Sequence, residues 1–346
     1  MAGTVKIAVV GAGLVGRRHA ALVHEEVGCT LTGIVDPDAS ASAFAADKGV
    51  PHFSTIDDLM RVARPDAAIV AAPNALHEPI GSYCATHNIH LLVEKPIAHT
   101  VSAARALVEA AHRAGMQLLV GHHRRYHPSI EVTREVIQGG RIGRLLGVSG
   151  LWGVRKPDDY FEVEWRRRKG GGPILINLNH DIDTLRYVCG EIAEVSATGA
   201  RTERQFEVED TVAVTLRFAN GALGSLVASD AAATPWGFET ATGENPHVPR
   251  TGESCYRFLG SEGAFDFPSL ALWRHVGGGP GDWTRPMAAE TLAAQSVEPL
   301  RAQLQHFLRV LHGEEEPRVT GEDAIRTLEA TLAVSRAAEQ SETVPL

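Results

Sequence analysis

Short apolar runs recur along the first third of the chain, at Ile7 to Val10, Leu31 to Val35, Ala67 to Ala71, His90 to Val93 and Gln117 to Val120. Runs this short that do not alternate with polar residues predict strands buried on both faces, as in a parallel sheet. Between them the apolar spacing lengthens to that of a helix. Val101 to Ala114 is the clearest case, with apolar positions at Ala104, Leu107, Val108 and Ala111, Thr100 placed to cap its start and Gly115 to stop it. Strand and helix alternating in this way predict a doubly wound α/β domain over residues 1–122.

After Tyr126-His127-Pro128 the pattern changes, and residues 123–346 read as a second, α+β domain. Pro128 opens a helix to Gln138, closed by Gly139-Gly140. Asp210 to Ala219 alternates, Asn220-Gly221 is a tight-turn dipeptide, and Ala222 to Ala228 returns; Ser254 to Leu259 and Ala264 to Phe267 form a similar pair of arms. A mainly antiparallel sheet is therefore expected. Two terminal helices, Glu298 to Leu311 and Gly321 to Glu339, carry apolar stripes that read as core and are expected to pack back on the first domain. Gly277 to Gly281 reads as a flexible loop, and Thr234 to Thr251 as a loop that covers substrate or wraps a neighbouring subunit. An antiparallel sheet with helices on one face needs cover on the other, which predicts a homodimer or homotetramer formed through the sheet.

Composition narrows the partners. A formal net charge of -9 over 346 residues makes nucleic acid and anionic membranes poor partners and favours a small molecule. The four cysteines, Cys29, Cys84, Cys189 and Cys255, form no C-x-x-C pair, as expected of reduced thiols in a cytoplasm. A strand begins almost at once, at Val5, so no signal peptide is expected, and no apolar run approaches the roughly 20 residues needed to span a bilayer. Sixteen histidines invite a metal reading. His123 and His127 are the nearest to a ligand pair, but Pro128 argues against the helix that would align them, and no metal is expected.

The first loop carries the strongest local chemistry. Gly11-Ala12-Gly13-Leu14-Val15-Gly16 lies between a predicted strand and a predicted helix. Gly11 permits a tight turn, Gly13 lets the backbone approach a pyrophosphate, and Gly16 lets helix pack on strand. Asp36, twenty residues after Gly16, ends the second strand, where a carboxylate accepts from ribose hydroxyls and repels a 2′-phosphate. NAD is thus favoured over NADP, although Asp36-Pro37-Asp38 is equally good turn chemistry. Pro73, Asn74 and His77 follow another parallel strand, at the sheet end where ligands bind, and either contact the nicotinamide ribose or substrate or cap the next helix.

The glycine loop, Pro73-Asn74-x-x-His77, Glu94-Lys95-Pro96, Gly121-His122-His123-Arg124-Arg125-Tyr126-His127-Pro128, and Gly170-Gly171-Gly172 leading to His180-Asp181-Ile182-Asp183 together resemble the glucose-fructose oxidoreductase and inositol dehydrogenase family (Gfo/Idh/MocA) over essentially the whole chain. The resemblance implies an N-terminal Rossmann domain, a C-terminal domain whose sheet mediates oligomers, and redox chemistry on sugars, polyols or related alcohols. It implies that Glu94 and Lys95 lie at the cofactor, with Lys95 near the reacting oxygen, and that His180 is the acid/base. Many family members have an aspartate four residues before that histidine; this chain has Ile176. On a helix, Asn177 and Asp183 each lie three residues from His180 and within about 60° of it, so either orients a substrate hydroxyl. Asn177 cannot take up a proton, so the base is His180 or Lys95; His180, whose reference pKa of about 6.5 is nearer the useful range, is the expected base, with Lys95 as the electrostatic support of an alkoxide. Tyr160, Trp165 and Arg125 are further substrate candidates, while at least two of Arg166, Arg167 and Arg168 are expected to be solvated. The expected activity is NAD-dependent hydride transfer at a secondary alcohol of a polyol or sugar. The alternatives are a dihydrodiol dehydrogenase, a keto-sugar or imine reductase, and a non-catalytic nucleotide sensor.

Overall fold

Each apolar run of the first third forms a strand. The computed structural model describes residues 3–245, 247–279 and 281–346. Along the first part the elements are β1 (Val5–Val10), α1 (Leu14–Glu25), β2 (Cys29–Val35), α2 (Ala41–Asp47), β3 (His52–Phe53), α3 (Ile56–Val62), β4 (Ala67–Val70), α4 (His77–Thr86), β5 (His90–Glu94), α5 (Val101–Ala114) and β6 (Leu118–Gly121). The six strands pair in the order β3-β2-β1-β4-β5-β6, all parallel. The order reverses beside β1, and in such sheets ligands bind beyond the strand ends at that switch point. The local signals act as read: the Thr100 side chain accepts from the Ala103 N–H at 3.2 Å, and Gly115 ends α5 with φ +67°.

The chain continues through α6 (Pro128–Gln138), β7 (Leu145–Gly153), α7 (Asn179–Cys189), β8 (Ile192–Ala200), β9 (Thr211–Phe218), β10 (Leu223–Ser229), α8 (Phe238–Thr242), β11 (Tyr256–Gly260), β12 (Gly263–Phe267), β13 (Ala271–His275) and β14 (Met287–Thr291), and ends in α9 (Pro299–Leu311), α10 (Gly321–Gln340) and β15 (Val344–Pro345). Nine strands form one sheet in the order β14-β13-β12-β11-β7-β10-β9-β8-β15. Every pairing is antiparallel except β10 on β7. The Asn220-Gly221 turn joins β9 to β10 as read, with Gly221 at φ +87° and Asn220 Oδ1 accepting from the Ala222 N–H at 3.0 Å.

The chain divides into two compact units, residues 1–126 with 297–328, and residues 127–296 with 329–346. In the first, Leu300, Leu304, Phe307 and Leu308 of α9 join Ile7, Val9, Ile34 and Ile69 in one apolar core, so the α9 stripe is core. In the second, β9 and β10 alternate buried and exposed residues, with Val212, Val214, Leu216 and Leu226 facing a core shared with Ile182 and Leu185 of α7.

One loop reading changes. Thr234 to Thr251 is not all cover: it folds into α8, whose Phe238 and Ala241 are fully buried in the second core. In that stretch Pro246, and in the glycine loop at 277–281 Pro280, lie outside the described residues. Among the described residues no helix is long and apolar enough to cross a membrane.

Candidate functional site

The glycine loop is closed where packing demands it and open where a ligand would approach. At Gly11, φ is +100° and a Cβ would lie 2.5 Å from the Ala71 carbonyl oxygen; at Gly16 a Cβ would lie 1.9 Å from the Gly11 oxygen. At Gly13, which begins α1, no atom lies within 4 Å of the Cβ position. Among the described residues no side chain caps this helix, so its leading N–H groups have no side-chain acceptor, and Leu14 and Val15 beside them are exposed. Free N–H groups at the positive end of a helix dipole suit a pyrophosphate. The Asp36 carboxylate accepts from the Ala12 N–H at 2.6 Å and from the Asp38 N–H at 2.8 Å. The turn reading of Asp36 is what these bonds show: it closes its own turn and ties down the glycine loop, and a carboxylate has further lone pairs with which to accept. These residues fit a dinucleotide. Arg17, not singled out from sequence, holds the loop from behind through Nε to the Ala12 oxygen at 2.8 Å.

Beyond β4, Pro73 and Asn74 are exposed, whereas His77 turns inward and is 1% exposed. Its Nδ1 lies 2.9 Å from the Pro96 oxygen and its Nε2 2.8 Å from the Ala72 oxygen. Burial pushes its pKa below the usual imidazole range, outweighing the two carbonyls. The ring joins the loop after β4 to the loop after β5, which leaves no ring nitrogen for a ligand. Glu94 is also turned inward. Its Oε1 lies 2.7 Å from His19 Nε2 on α1, and its Oε2 accepts from the Lys95 N–H at 3.2 Å. Burial by itself would raise this carboxyl, but the hydrogen bond and charge of His19, helped by His123 and Lys95, bring it down to about 2. Glu94 thus anchors the backbone of half-buried Lys95 from within the protein. Arg125 is buried and ion-paired with Asp323 of α10, and its carbonyl accepts from Arg318 Nη1 at 2.9 Å. The expected substrate contact is, in this structure, part of the packing of the first unit.

In the second unit, Gly170 and Gly172 take φ of +98° and +78°. A Cβ on Gly172 would lie 2.6 Å from Glu209 Oε1, the same oxygen that accepts from the Ile174 N–H at 3.0 Å. Residues Ile174–Leu178 then form a π-helical turn, and α7 follows with half-buried His180 as its second residue. Asp183 shares the α7 face of His180 but is only 1% exposed, whereas Asn177 lies on the wider π-helical turn, which does not keep the α-helical spacing expected of it. Asn177 is placed instead by a partner that the sequence did not reveal. Its Oδ1 accepts from Lys156 Nζ at 2.8 Å.

Lys156 follows β7 and is buried. Its Nζ lies 3.5 Å from Asp230 Oδ2, 4.8 Å from the centre of the Tyr160 ring and 5.7 Å from that of Trp152. Burial lowers its pKa to about 8, with Asp230 offsetting part of the effect. Burial likewise raises Asp230, against the pull of Lys156 and Arg204. The backbone fixes the pair, because the Lys156 N–H donates to the Asp230 oxygen at 2.9 Å and Arg204 Nη2 bonds the carbonyls of both residues at 2.7 and 3.0 Å. The expectation for the arginines also changes: only Arg168 is exposed, paired with Glu164 at 2.8 Å, while Arg166 stacks 3.9 Å over half-buried Tyr160. Trp165 is 52% exposed. Among the described residues no group of three or more His, Cys, Asp or Glu side chains is placed to hold a metal ion.

Two family models match the chain: the GFO/IDH/MocA oxidoreductase family, NAD-binding Rossmann fold, over residues 5–122, and the GFO/IDH/MocA C-terminal domain over residues 130–266. The chain is 31% identical over 229 residues to inositol 2-dehydrogenase of Rubrobacter xylanophilus, covering 64% of each protein. It is 29% identical over 226 residues to an uncharacterized oxidoreductase of Streptococcus pneumoniae, covering 62% of this chain and 60% of that one, so it spans less than two thirds of either relative. Against 1,5-anhydro-D-fructose reductase of Ensifer adhaerens the identity is 26% over 344 residues, 95% of both chains. Among solved structures, an oxidoreductase from Agrobacterium radiobacter in complex with NAD+, L-tartaric acid and magnesium has the same fold, with a TM-score of 0.84 at 19% identity over 99% of this chain and 98% of that one. Aldose-aldose oxidoreductase from Caulobacter crescentus complexed with glycerol superposes with a TM-score of 0.80 at 25% identity, over 99% of this chain and 100% of that one.

Proposed function

The chain belongs to the GFO/IDH/MocA oxidoreductase family, and on that footing we propose that it transfers hydride between NAD and a secondary alcohol of a sugar or polyol. The glycine loop carries this reading, since it is sealed at Gly11 and Gly16 and open only at Gly13. Gly13, the leading N–H groups of α1 and Asp36 would hold the pyrophosphate and ribose, and Asp36 favours NAD through its charge. Bound NAD supplies the hydride acceptor at C4 of its nicotinamide.

The chain's own groups handle the proton and the charge. Lys95 is assigned to the developing alkoxide, which its ammonium stabilises. His180 is assigned to the hydroxyl proton, an imidazole being the side chain whose unperturbed titration lies nearest neutrality. The alcohol carbon loses its hydride, the oxygen loses its proton to His180, and a ketone results. Asn177 contributes hydrogen bonding only. Named relatives that act on an inositol and on an anhydro-sugar support the substrate class. The exposed alternate residues of β9 and β10 support pairing of this sheet face with a second copy; sedimentation as a dimer or tetramer at micromolar concentration is expected, and a monomer would oppose it.

Purified protein with NAD+ and a panel of cyclitols and aldoses is expected to generate NADH. Lys95→Ala and His180→Ala are each expected to lower kcat/KM by roughly a hundredfold or more while NADH binding stays within a few-fold. Unchanged turnover in either variant would overturn that residue's assignment.

A further inference from the structure

Lys156, Asn177 and Asp230 come together from three separate segments of the second unit, on the turn that leads into the helix of His180. An ammonium carries donors only, so the amide of Asn177 must turn its carbonyl toward Lys156 and its NH2 away. That NH2 makes no hydrogen bond among the described residues. The charge of Lys156 is already answered, because the Asp230 and Glu239 carboxylates both act on it and the Arg204 guanidinium is the opposing cation. Asp230 in turn feels the Asp210 carboxylate. The cations here, Lys156, Arg204 and Arg166 across the Tyr160 ring, are already matched by the Asp230, Glu239 and Asp210 carboxylates, so none is left over for a further anion.

We propose that Lys156 is a positioning residue that sets Asn177 as a hydrogen-bond donor to an uncharged substrate oxygen, the hydroxyl or carbonyl of a neutral sugar or polyol and not the carboxylate of a sugar acid. This rests on the dehydrogenase reading above and narrows its substrate class. The Lys156–Asn177 contact takes over an orienting task at a turn where position 176 is Ile176 and offers no carboxylate.

The test uses the whole protein with NAD+ and matched probes: D-glucose against D-glucuronate and D-galactose against D-galacturonate. The neutral member of each pair is expected to have at least about tenfold higher kcat/KM, the worth of one well-placed hydrogen bond. Lys156→Met is expected to raise KM for the neutral probe about tenfold and to change kcat less than threefold, and Lys156→Arg to recover most of the loss. Because Lys156 acts through Asn177, the double variant Lys156→Met/Asn177→Leu is expected to be no worse than Asn177→Leu alone. Equal or better use of the acids, a loss in kcat with KM unchanged, or additive effects of the two substitutions would overturn the proposal. If neither these probes nor the cyclitol and aldose panel is turned over, the dehydrogenase reading fails on its own terms. Calorimetric titration of the same pairs into the NADH-loaded protein then decides the inference: tighter binding of the neutral members supports it, and tighter binding of the acids, equal binding, or no binding by any neutral probe counts against it.

Discussion

The imidazole of His19 lies 2.7 Å from the carboxylate of Glu94, both side chains buried, and the other oxygen of that carboxylate holds the backbone N–H of Lys95. A pair from α1 and β5 thereby steadies the lysine assigned to the alkoxide. The Glu94 pKa is depressed to about 2, so its contribution to stability is complete above the ordinary carboxyl value of 4.5 and is lost as pH falls from there toward 2. Glu94→Gln is expected to destabilise the protein at neutral pH by roughly 1.5–3 kcal/mol, since it removes the carboxylate charge from the buried hydrogen bond to the His19 ring. Urea midpoints for the two proteins are expected to converge below about pH 4.5. A difference that does not change with pH would oppose a role for the Glu94 charge.

Two glycines of one loop are expected to answer differently to the same added methyl group. Gly16→Ala sets a carbon against the Gly11 carbonyl, a backbone atom that cannot swing aside, and is expected to cost about 1–3 kcal/mol of stability. Gly13→Ala meets no atom and is expected to cost about 1 kcal/mol or less, yet to weaken NADH binding about tenfold or more because the methyl occupies the space a pyrophosphate needs. Thermal melts and NADH fluorescence titrations separate the two effects. Equal NADH affinity in Gly13→Ala and the parent protein would refute the cradle.

Asp36→Asn keeps an oxygen for the Ala12 N–H and removes the charge. The ratio of NADP to NAD affinity is expected to rise about tenfold, because the repulsion of a 2′-phosphate is gone. Asp36→Ala is expected also to lose thermal stability, as the Ala12 N–H then has no acceptor. Cofactor titrations of all three proteins check this, and an unaltered NADP to NAD ratio in Asp36→Asn would argue against the ribose role.

Lys156 carries a second pH signature. Its folded pKa of about 8 lies below the reference of 10.5, so between these values the unfolded chain holds the proton more tightly than the folded one. Stability contributed by this group therefore rises as pH climbs from about 8 to 10.5, by up to roughly 3 kcal/mol. The stability of the parent protein minus that of Lys156→Met is expected to grow across the window, although the buried thiols Cys29 and Cys84, raised to about 11 and 12, act in the opposite direction in both proteins. A flat difference would mean that the amine is not charge-frustrated.

Elements set by neighbours in the chain were legible before folding. Thr100 and Gly115 bracket α5, Asn220-Gly221 turns β9 into β10, and the glycines of the first loop announce its shape, because capping, turn geometry and positive φ are properties of a few adjacent residues. Histidine and glutamate roles were less legible. His77 was open between ligand contact and a helix cap, and Glu94 was placed at the cofactor only by the family resemblance; both side chains point inward, toward partners 19 and 75 residues away.

The strands of the first sheet, the glycine loop and the strand-end place of Asp36 were thus legible in local pattern, whereas the order of the strands was set by how they pair. Tertiary structure decided which polar side chains would be spent on the protein itself: His77 on two carbonyls, Arg125 on Asp323, and Lys156 on Asn177 and Asp230. The reason is physical. A buried polar group must find its partner wherever the chain brings one, and no window of sequence around Lys156 contains Asp230.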